Sequence, residues 1–388
     1  MMIDANQMNK EGRFNKTLKF SNKVLNEPIV SLPWFLQDRV IPSLNGWRAV
    51  AIIIVLLAHE RFAADYSNIK FHWFSDKLIY GILGVQIFFV LSGFLITVLL
   101  IKEQIKHKRI NIGSFFIRRI IRIFPVLYLY LITVLLLNNL LDLQLPINSL
   151  IGPLLYIHNF HFSPDNWIIG HTWSLSVEEQ FYLIWPFLFQ RQNKSVFIIL
   201  LLLILIPIIN IIVYKYPQYQ NFLFAPFLQP ASSIFCGALM AITIVKTHTL
   251  FDFRKLFHPV GLVLAILLMD MVYFFSQRAM LGKLLLPFGD TIVNVCICYA
   301  ILYSLIIRNG YFYKLLNFKW MFFLGTISYS IYIWQQLFII PKGTFPKIEI
   351  YSYYPINIVF AIGIAILSYY GFEKPFLNLK KKFNVKYE

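Results

Sequence analysis

Asn45-Gly-Trp-Arg-Ala-Val-Ala-Ile-Ile-Ile-Val-Leu-Leu-Ala-His59 decides how this chain is read. The run is almost wholly apolar, yet it carries Arg48 near one end and His59 at the other. As a helix it turns about 100° per residue, which brings both side chains within about 20° of one face and about 16 Å apart along the axis. An ionisable group inside a membrane helix is costly enough to be a functional candidate by default. Two of them on one stripe describe a site that runs through a bilayer.

The rest of the chain supports a membrane reading. Of 388 residues, 58% are hydrophobic and only 14% charged, and mean hydropathy is +0.65. Soluble domains carry about 25% charged residues. Apolar runs that cross or nearly cross a ~30 Å core can be read at 45–59, 81–101, 120–141, 172–189, 195–214, 227–245, 259–275, 286–307, 321–340 and 355–372. The expected fold is therefore all-α, a polytopic transmembrane bundle of about ten helices with both termini on one side.

Outside these runs, 25 Lys and Arg fall on the side of the N-terminus and 8 on the opposite side. Cytoplasmic loops hold the excess of positive charge, so both termini are expected in the cytoplasm. The net charge of +17 is accounted for by topology, and a nucleic-acid partner is not expected. Residues 1–41 form a basic arm without a signal-peptide core, suited to lying on anionic membrane lipid. Residues 42–376 are expected to form the transmembrane domain and residues 377–388 a basic tail with Lys380-Lys381-Lys382, and no appended soluble module is expected. Cys236, Cys296 and Cys298 make neither a disulfide framework nor a metal signature.

Four features carry candidate chemistry. His59 reads either as an interfacial histidine or as a general base for a hydroxyl nucleophile. Arg48 reads as a snorkelling cytoplasmic anchor or, with His59, as part of one site. Arg118, Arg119 and Arg122 stand at helical spacings i, i+1 and i+4, able to project around one side of a helix start. Arginine forks take phosphate bidentately, so a phosphate-bearing cytoplasmic ligand is expected there. The fourth is His171-Thr-Trp-Ser-Leu-Ser-Val-Glu-Glu-Gln-Phe-Tyr182. Ser176 and Glu179 fit a capping box, which leaves Glu178 as the carboxylate free to orient the His59 imidazole. His158, His161 and His171 lack a metal spacing and read as residues of a solvated outer loop, and no metal is expected. Gly81, Gly84 and Ser92-Gly93 read as close-packing positions, and Glu373-Lys374-Pro375 as a helix stop.

At these residues the sequence closely resembles the membrane-bound acyltransferase 3 family of bacterial integral-membrane O-acyltransferases. The matches are the Arg48-to-His59 element, Gly84 to Ile96, Phe116 to Pro125, His171 to Tyr182, Gly325 to Tyr332 and Glu373 to Phe376, in the family's order. Asn45, Gln86 and Gln335 depart from its pattern, where Asp, Asp and His are usual; Asn45 would still serve as a helix cap. The resemblance implies transfer of an acyl group, usually acetyl, from cytoplasmic acyl-CoA to a sugar hydroxyl of a cell-envelope glycan, glycolipid or lipid-linked precursor. It also implies residence in the bacterial cytoplasmic membrane. On that reading the arginines hold the CoA phosphates, and His59 with Glu178 acts as base or carries the acyl group covalently. A proton-coupled carrier of a glycan or lipid and a catalytically inactive family member are the alternatives.

Overall fold

The computed structural model describes residues 29, 31–38, 40–63, 80–162, 164, 166–220, 225–345, 347–348 and 353–379, and among these all regular secondary structure is helical. The basic arm and tail fall mostly outside the described residues. The main helices are α1 (Leu44–Ala63), α2 (Gly81–His107), α3 (Ile112–Leu141), α4 (Thr172–Phe189), α5 (Gln192–Lys215), α6 (Ala225–Thr247), α7 (Pro259–Gln277), α8 (Gly282–Ile306), α9 (Lys319–Trp334) and α10 (Ile356–Ser368). Each falls on one of the apolar runs read from the sequence, although α9 ends at Trp334, six residues before its run does, and α10 gives way to a π turn after Ser368.

Seven helices among the described residues are long and apolar enough to cross a membrane: α2, α3, α5, α6, α7, α8 and α10 with its continuation to Leu379. The other three fall short for identifiable reasons. α1 contains Arg48, His59, Glu60 and Arg61, α4 contains the Glu178-Glu179 pair, and α9 is only 16 residues long. Two of these three also carry ionisable side chains of the site, Arg48 and His59 on α1 and Glu178 on α4.

Small residues set how closely the central helices approach. A methyl group added at Gly93 in α2 would lie 1.9 Å from the Ile234 carbonyl oxygen of α6, and one at Gly237 would lie 2.0 Å from that of Val90. The α2 and α6 backbones therefore touch, which only glycine permits. α1 packs between α2 and α9. At the α1–α9 crossing a methyl on Gly325 would lie 1.8 Å from the Asn45 carbonyl oxygen.

Two expectations are corrected. The segment between α3 and α4 is not a solvated excursion. It folds into short helical turns at Ile147–Leu150, Ile151–Leu154, His158–Phe160 and Trp167–Gly170 and buries His158, Asn159 and His171. Trp167 Nε1 donates to the Ile339 carbonyl at 2.7 Å, tying this cap to the segment that follows α9. Nor does Glu373-Lys374-Pro375 stop a helix. The chain widens into a π turn at Tyr369–Glu373 and continues helically through Lys374–Leu379. The extra residue in the turn points Glu373 inward, where its carboxylate accepts from Ser330 Oγ of α9 at 2.6 Å.

Candidate active site

The bundle holds two adjoining cavities, one lined by arginines and one by histidines. Arg48 from α1, Arg119 and Arg122 from α3, Ser92 from α2, Glu178 and Tyr182 from α4 and Tyr332 from α9 surround a narrow space of about 100 Å³. His59, His171, Tyr80, Trp167, Tyr273 and Gln336 surround a wider one of about 670 Å³. Val85 and Tyr332 line both, so the two spaces are neighbours across these two side chains. The arginine cavity receives the start of α1 and of α3, and the histidine cavity receives the end of α1 and the starts of α2 and α4.

Arg48 is fixed by its own helix: its Nη1 donates to Asn45 Oδ1 at 3.0 Å. Asn45 is thus not a cap. The helix already begins at Leu44, and the Asn45 amide holds the arginine one turn further on. A neutral amide positions that guanidinium without cancelling its charge. The Arg119 guanidinium lies 4.9 Å from the centre of the Tyr182 ring and 5.7 Å from that of Phe115. Aromatic faces of this kind attract cations and hold Arg119 extended toward the cavity. α3 is itself anchored to α9, because Tyr329 OH donates to the Ile123 carbonyl at 2.6 Å.

Of the expected arginine trio, Arg118 is the exception. It turns away and forms an ion pair with Glu103 of α2 at 2.9 Å. Residues i and i+1 on a helix diverge by about 100°, so Arg118 and Arg119 cannot serve the same cavity. Arg48 takes the third place instead.

The expected pairing of His59 with Glu178 is also absent. Glu178 accepts hydrogen bonds from Ser92 and Tyr182 and lines the arginine cavity. Glu178 lies six residues into α4, about 9 Å along the axis from its first residue at 1.5 Å per residue, whereas His59 shares its cavity with His171 and Trp173 at that first turn. His59 is instead held by an amide, with its Nδ1 3.1 Å from Gln335 Oε1. Since Oε1 can only accept, Nδ1–H is the donor and the lone pair is left on Nε2. The neighbouring Gln336 does the same for the second histidine. Its Oε1 accepts from the His171 backbone N–H at 3.0 Å and from Nδ1 at 2.6 Å.

The capping box between Ser176 and Glu179 does not form either. α4 starts at Thr172, one turn earlier. Ser176 Oγ donates to the Thr172 carbonyl at 3.0 Å and accepts from the His158 backbone at 3.2 Å. Glu179 is interior, and its Oε1 has no hydrogen-bond partner among the described residues.

With this geometry established, the chain can be compared with known proteins. Residues 41–372 match the family model described as an acyltransferase domain. The chain belongs to that acyltransferase family. As a member, with seven membrane-capable helices, it is a multi-pass membrane protein. It is 25% identical over 377 residues to the putative peptidoglycan O-acetyltransferase YrhL of Bacillus subtilis, covering 87% of this chain and 55% of the relative. It is 27% identical over 373 residues to the O-acetyltransferase OatA of Staphylococcus aureus, covering 87% of this chain and 57% of the relative. The peptidoglycan O-acetyltransferase OatA of Listeria monocytogenes is 32% identical over 164 residues, 38% of this chain and 24% of the relative. The chain thus spans little more than half the length of the first two relatives. No solved structure matches it.

Several residues of the acyltransferase's site escaped the sequence reading. Tyr182 stands one helical turn beyond Glu178, an i, i+4 relation that could have linked them. Ser92 beside Gly93 has the local pattern of a packing residue, and nothing local distinguishes a packing serine from a donor to a buried carboxylate. Gln335 and Gln336 did leave a signal. Two amides at the end of an apolar run need partners once buried, and imidazole N–H groups such as those of His59 and His171 can supply them.

Proposed function

We propose that this acyltransferase moves an acyl group, usually acetyl, from cytoplasmic acyl-CoA to a sugar hydroxyl of a cell-envelope glycan. The single observation that carries this reading is the adjacency of an arginine cavity and a histidine cavity inside one helical bundle. In this reading all ten main helices cross the bacterial cytoplasmic membrane with both termini in the cytoplasm. The 25 to 8 split of Lys and Arg supports that orientation. It puts Arg48, Arg119 and Arg122 toward the cytoplasm and His59 toward the outer face.

Each residue then has a role. Arg119 and Arg122 pair with the CoA phosphates through charge-assisted hydrogen bonds, and Arg48 stabilises negative charge deeper in the cavity. Glu178 offsets the mutual repulsion of the arginines when no anion is bound. The narrow space admits the thin pantetheine arm and directs the thioester toward Val85 and Tyr332, where the cavities adjoin. The acceptor enters the wider cavity from outside. Its hydroxyl oxygen attacks the thioester carbonyl carbon while His59 Nε2 takes the hydroxyl proton. The C–S bond breaks, and the proton passes from His59 to the departing thiolate, giving free CoA. Alternatively Nε2 attacks first and carries the acyl group. Gln335 serves both routes by holding the tautomer with a free Nε2.

The names of the B. subtilis, L. monocytogenes and S. aureus relatives support acetyl as the group moved, and two of them support peptidoglycan as the acceptor. The test uses the protein in lipid vesicles with radiolabelled acetyl-CoA and isolated envelope glycan. Label should pass to alkali-labile ester on the glycan, and not in the His59→Ala variant. Glycan that stays unlabelled with folded wild-type protein would remove this reading.

A further inference from the structure

A third space opens beside the histidine cavity, and nothing described so far uses it. It occupies about 670 Å³ between α2, α4, α5, α6 and α8, on the same side of the bundle as His59. Its walls carry Gln86, Asn210, Gln220, Gln229, Ser233 and Asp290, with Trp173 at one edge. Ile82, Val85 and Trp173 line this vestibule and the histidine cavity alike. A smaller annex of about 210 Å³ continues from it past Trp173, Gln220 and Gln229 to Asn159.

The chemistry of this lining is specific. α5, α6 and α8 are membrane-capable helices, in which polar side chains are expensive and mark ligand paths. Here they converge. Gln229 Nε2 donates to Asn210 Oδ1 at 2.8 Å and Asn210 Nδ2 donates to the Leu286 carbonyl at 3.5 Å, so the pair is held at the wall and the Gln229 Oε1 remains as an acceptor there. Gln86 forms the partition toward the histidine cavity. Its Nε2 donates to Asp290 Oδ1 at 3.0 Å, and its Oε1 accepts from Tyr273, which itself lines the histidine cavity. Asp290 is exposed within the vestibule, so its second oxygen is available to a hydroxyl or amide donor. No Lys or Arg lines the vestibule or the annex among the described residues.

We propose that the vestibule and its annex are the acceptor subsite and take a neutral saccharide of more than one ring. This rests on the acyl-transfer reading for its purpose, although the binding it describes can be measured without transfer. Amide and carboxylate side chains offer the donor and acceptor pairs that a ring of hydroxyls needs. Trp173 supplies an apolar face for the ring's C–H side. An anionic saccharide or a phosphorylated headgroup would meet Asp290 and, among the described residues, no Lys or Arg, His161 of the annex being the one basic side chain of the lining. The junction at Val85 and Trp173 lets one hydroxyl of a bound ring reach His59 while the remaining rings stay in the vestibule.

Binding is measured by equilibrium dialysis on the full chain in nanodiscs without acyl-CoA, using fluorescent tetramers of glucose, of N-acetylglucosamine and of galacturonate. At least one neutral tetramer should bind saturably, and the galacturonate tetramer at least tenfold more weakly. Trp173→Leu and Gln229→Leu should each weaken neutral binding tenfold or more, and Arg122→Ala should leave it unchanged. Asp290→Asn keeps the shape and the bond to Gln86, so it should narrow the gap between neutral and anionic tetramers even if the bulkier changes unfold the protein. Failure of both neutral tetramers to bind, equal binding of the anionic one, or no response to Asp290→Asn overturns the assignment. Displacement of bound tetramer by anionic lipid vesicles at low lipid concentration would overturn it in favour of a lipid site. Saturable, variant-sensitive binding without any acyl transfer would leave the subsite standing and remove the transfer reading instead.

Discussion

His59 Nδ1 lies 3.1 Å from Gln335 Oε1, and this contact, not a carboxylate, orients the imidazole. Replacing Gln335 by Leu leaves Nδ1–H without an acceptor, a loss worth about 1–3 kcal/mol. Transfer should fall about tenfold to a hundredfold with the protein still folded. His59→Ala should fall further, by about 10²–10⁴ for a lost general base, and keep donor binding because the arginines line the other cavity. Rates of labelled acetyl transfer check both. Full activity of Gln335→Leu would show that the contact is incidental.

The separation of Arg118 from its neighbours gives a paired prediction. Arg122→Ala removes a charge-assisted contact of about 1.5–3 kcal/mol and should weaken CoA binding about tenfold to a hundredfold. Arg118→Ala breaks only the ion pair with Glu103 and should leave CoA affinity where it was. Calorimetry on purified protein reads both, and equal losses would reject the division of roles.

Glu178 is the carboxylate that lines the cavity of Arg48, Arg119 and Arg122. Glu178→Gln can still accept hydrogen bonds from Ser92 and Tyr182 but no longer offsets the like charges, which repel at short range. The variant should melt at a lower temperature without ligand and gain more from added CoA than the wild type does, since a bound anion replaces the lost charge. An equal rise in melting temperature for both would contradict this.

The α2–α6 contact should be intolerant of one added carbon. Gly93→Ala forces a methyl to within 1.9 Å of the Ile234 carbonyl oxygen, and overpacking of this kind costs about 1–3 kcal/mol. Gly363→Ala meets nothing within 4 Å and is the control. Thermal denaturation in detergent should separate the two variants clearly.

Orientation is testable with cysteines placed at the two ends of the bundle. Phe162→Cys, 75% exposed in the segment before α4, should react with an impermeant reagent on intact cells. Lys108→Cys, just after α2, should react only after permeabilisation. The reverse pattern would invert the topology.

Much was legible in the sequence because a bilayer imposes a simple rule. Apolar runs must be helices of nearly fixed length, so each main helix could be located from composition alone. Helical periodicity also carried Arg48, Arg119 and Arg122 as candidates, because spacing along one helix is a local property. The failures share a cause. Which turn of α4 begins the helix depended on how His158 and the preceding short turns pack against Ser176. Whether Glu178 served His59 or the arginines depended on the depth of α4 relative to α1, and no local pattern encodes that offset. The sequence by itself determined a helical membrane bundle with a histidine and arginines set in its apolar runs. Only the tertiary structure decided that they line two adjacent cavities, that Gln335 and Gln336 hold the histidines, and that Arg118 belongs to neither cavity. Partners that lie hundreds of residues apart in sequence are chosen by helix packing, and close approaches such as Gly93 to Ile234 and Gly325 to Asn45 fix that packing.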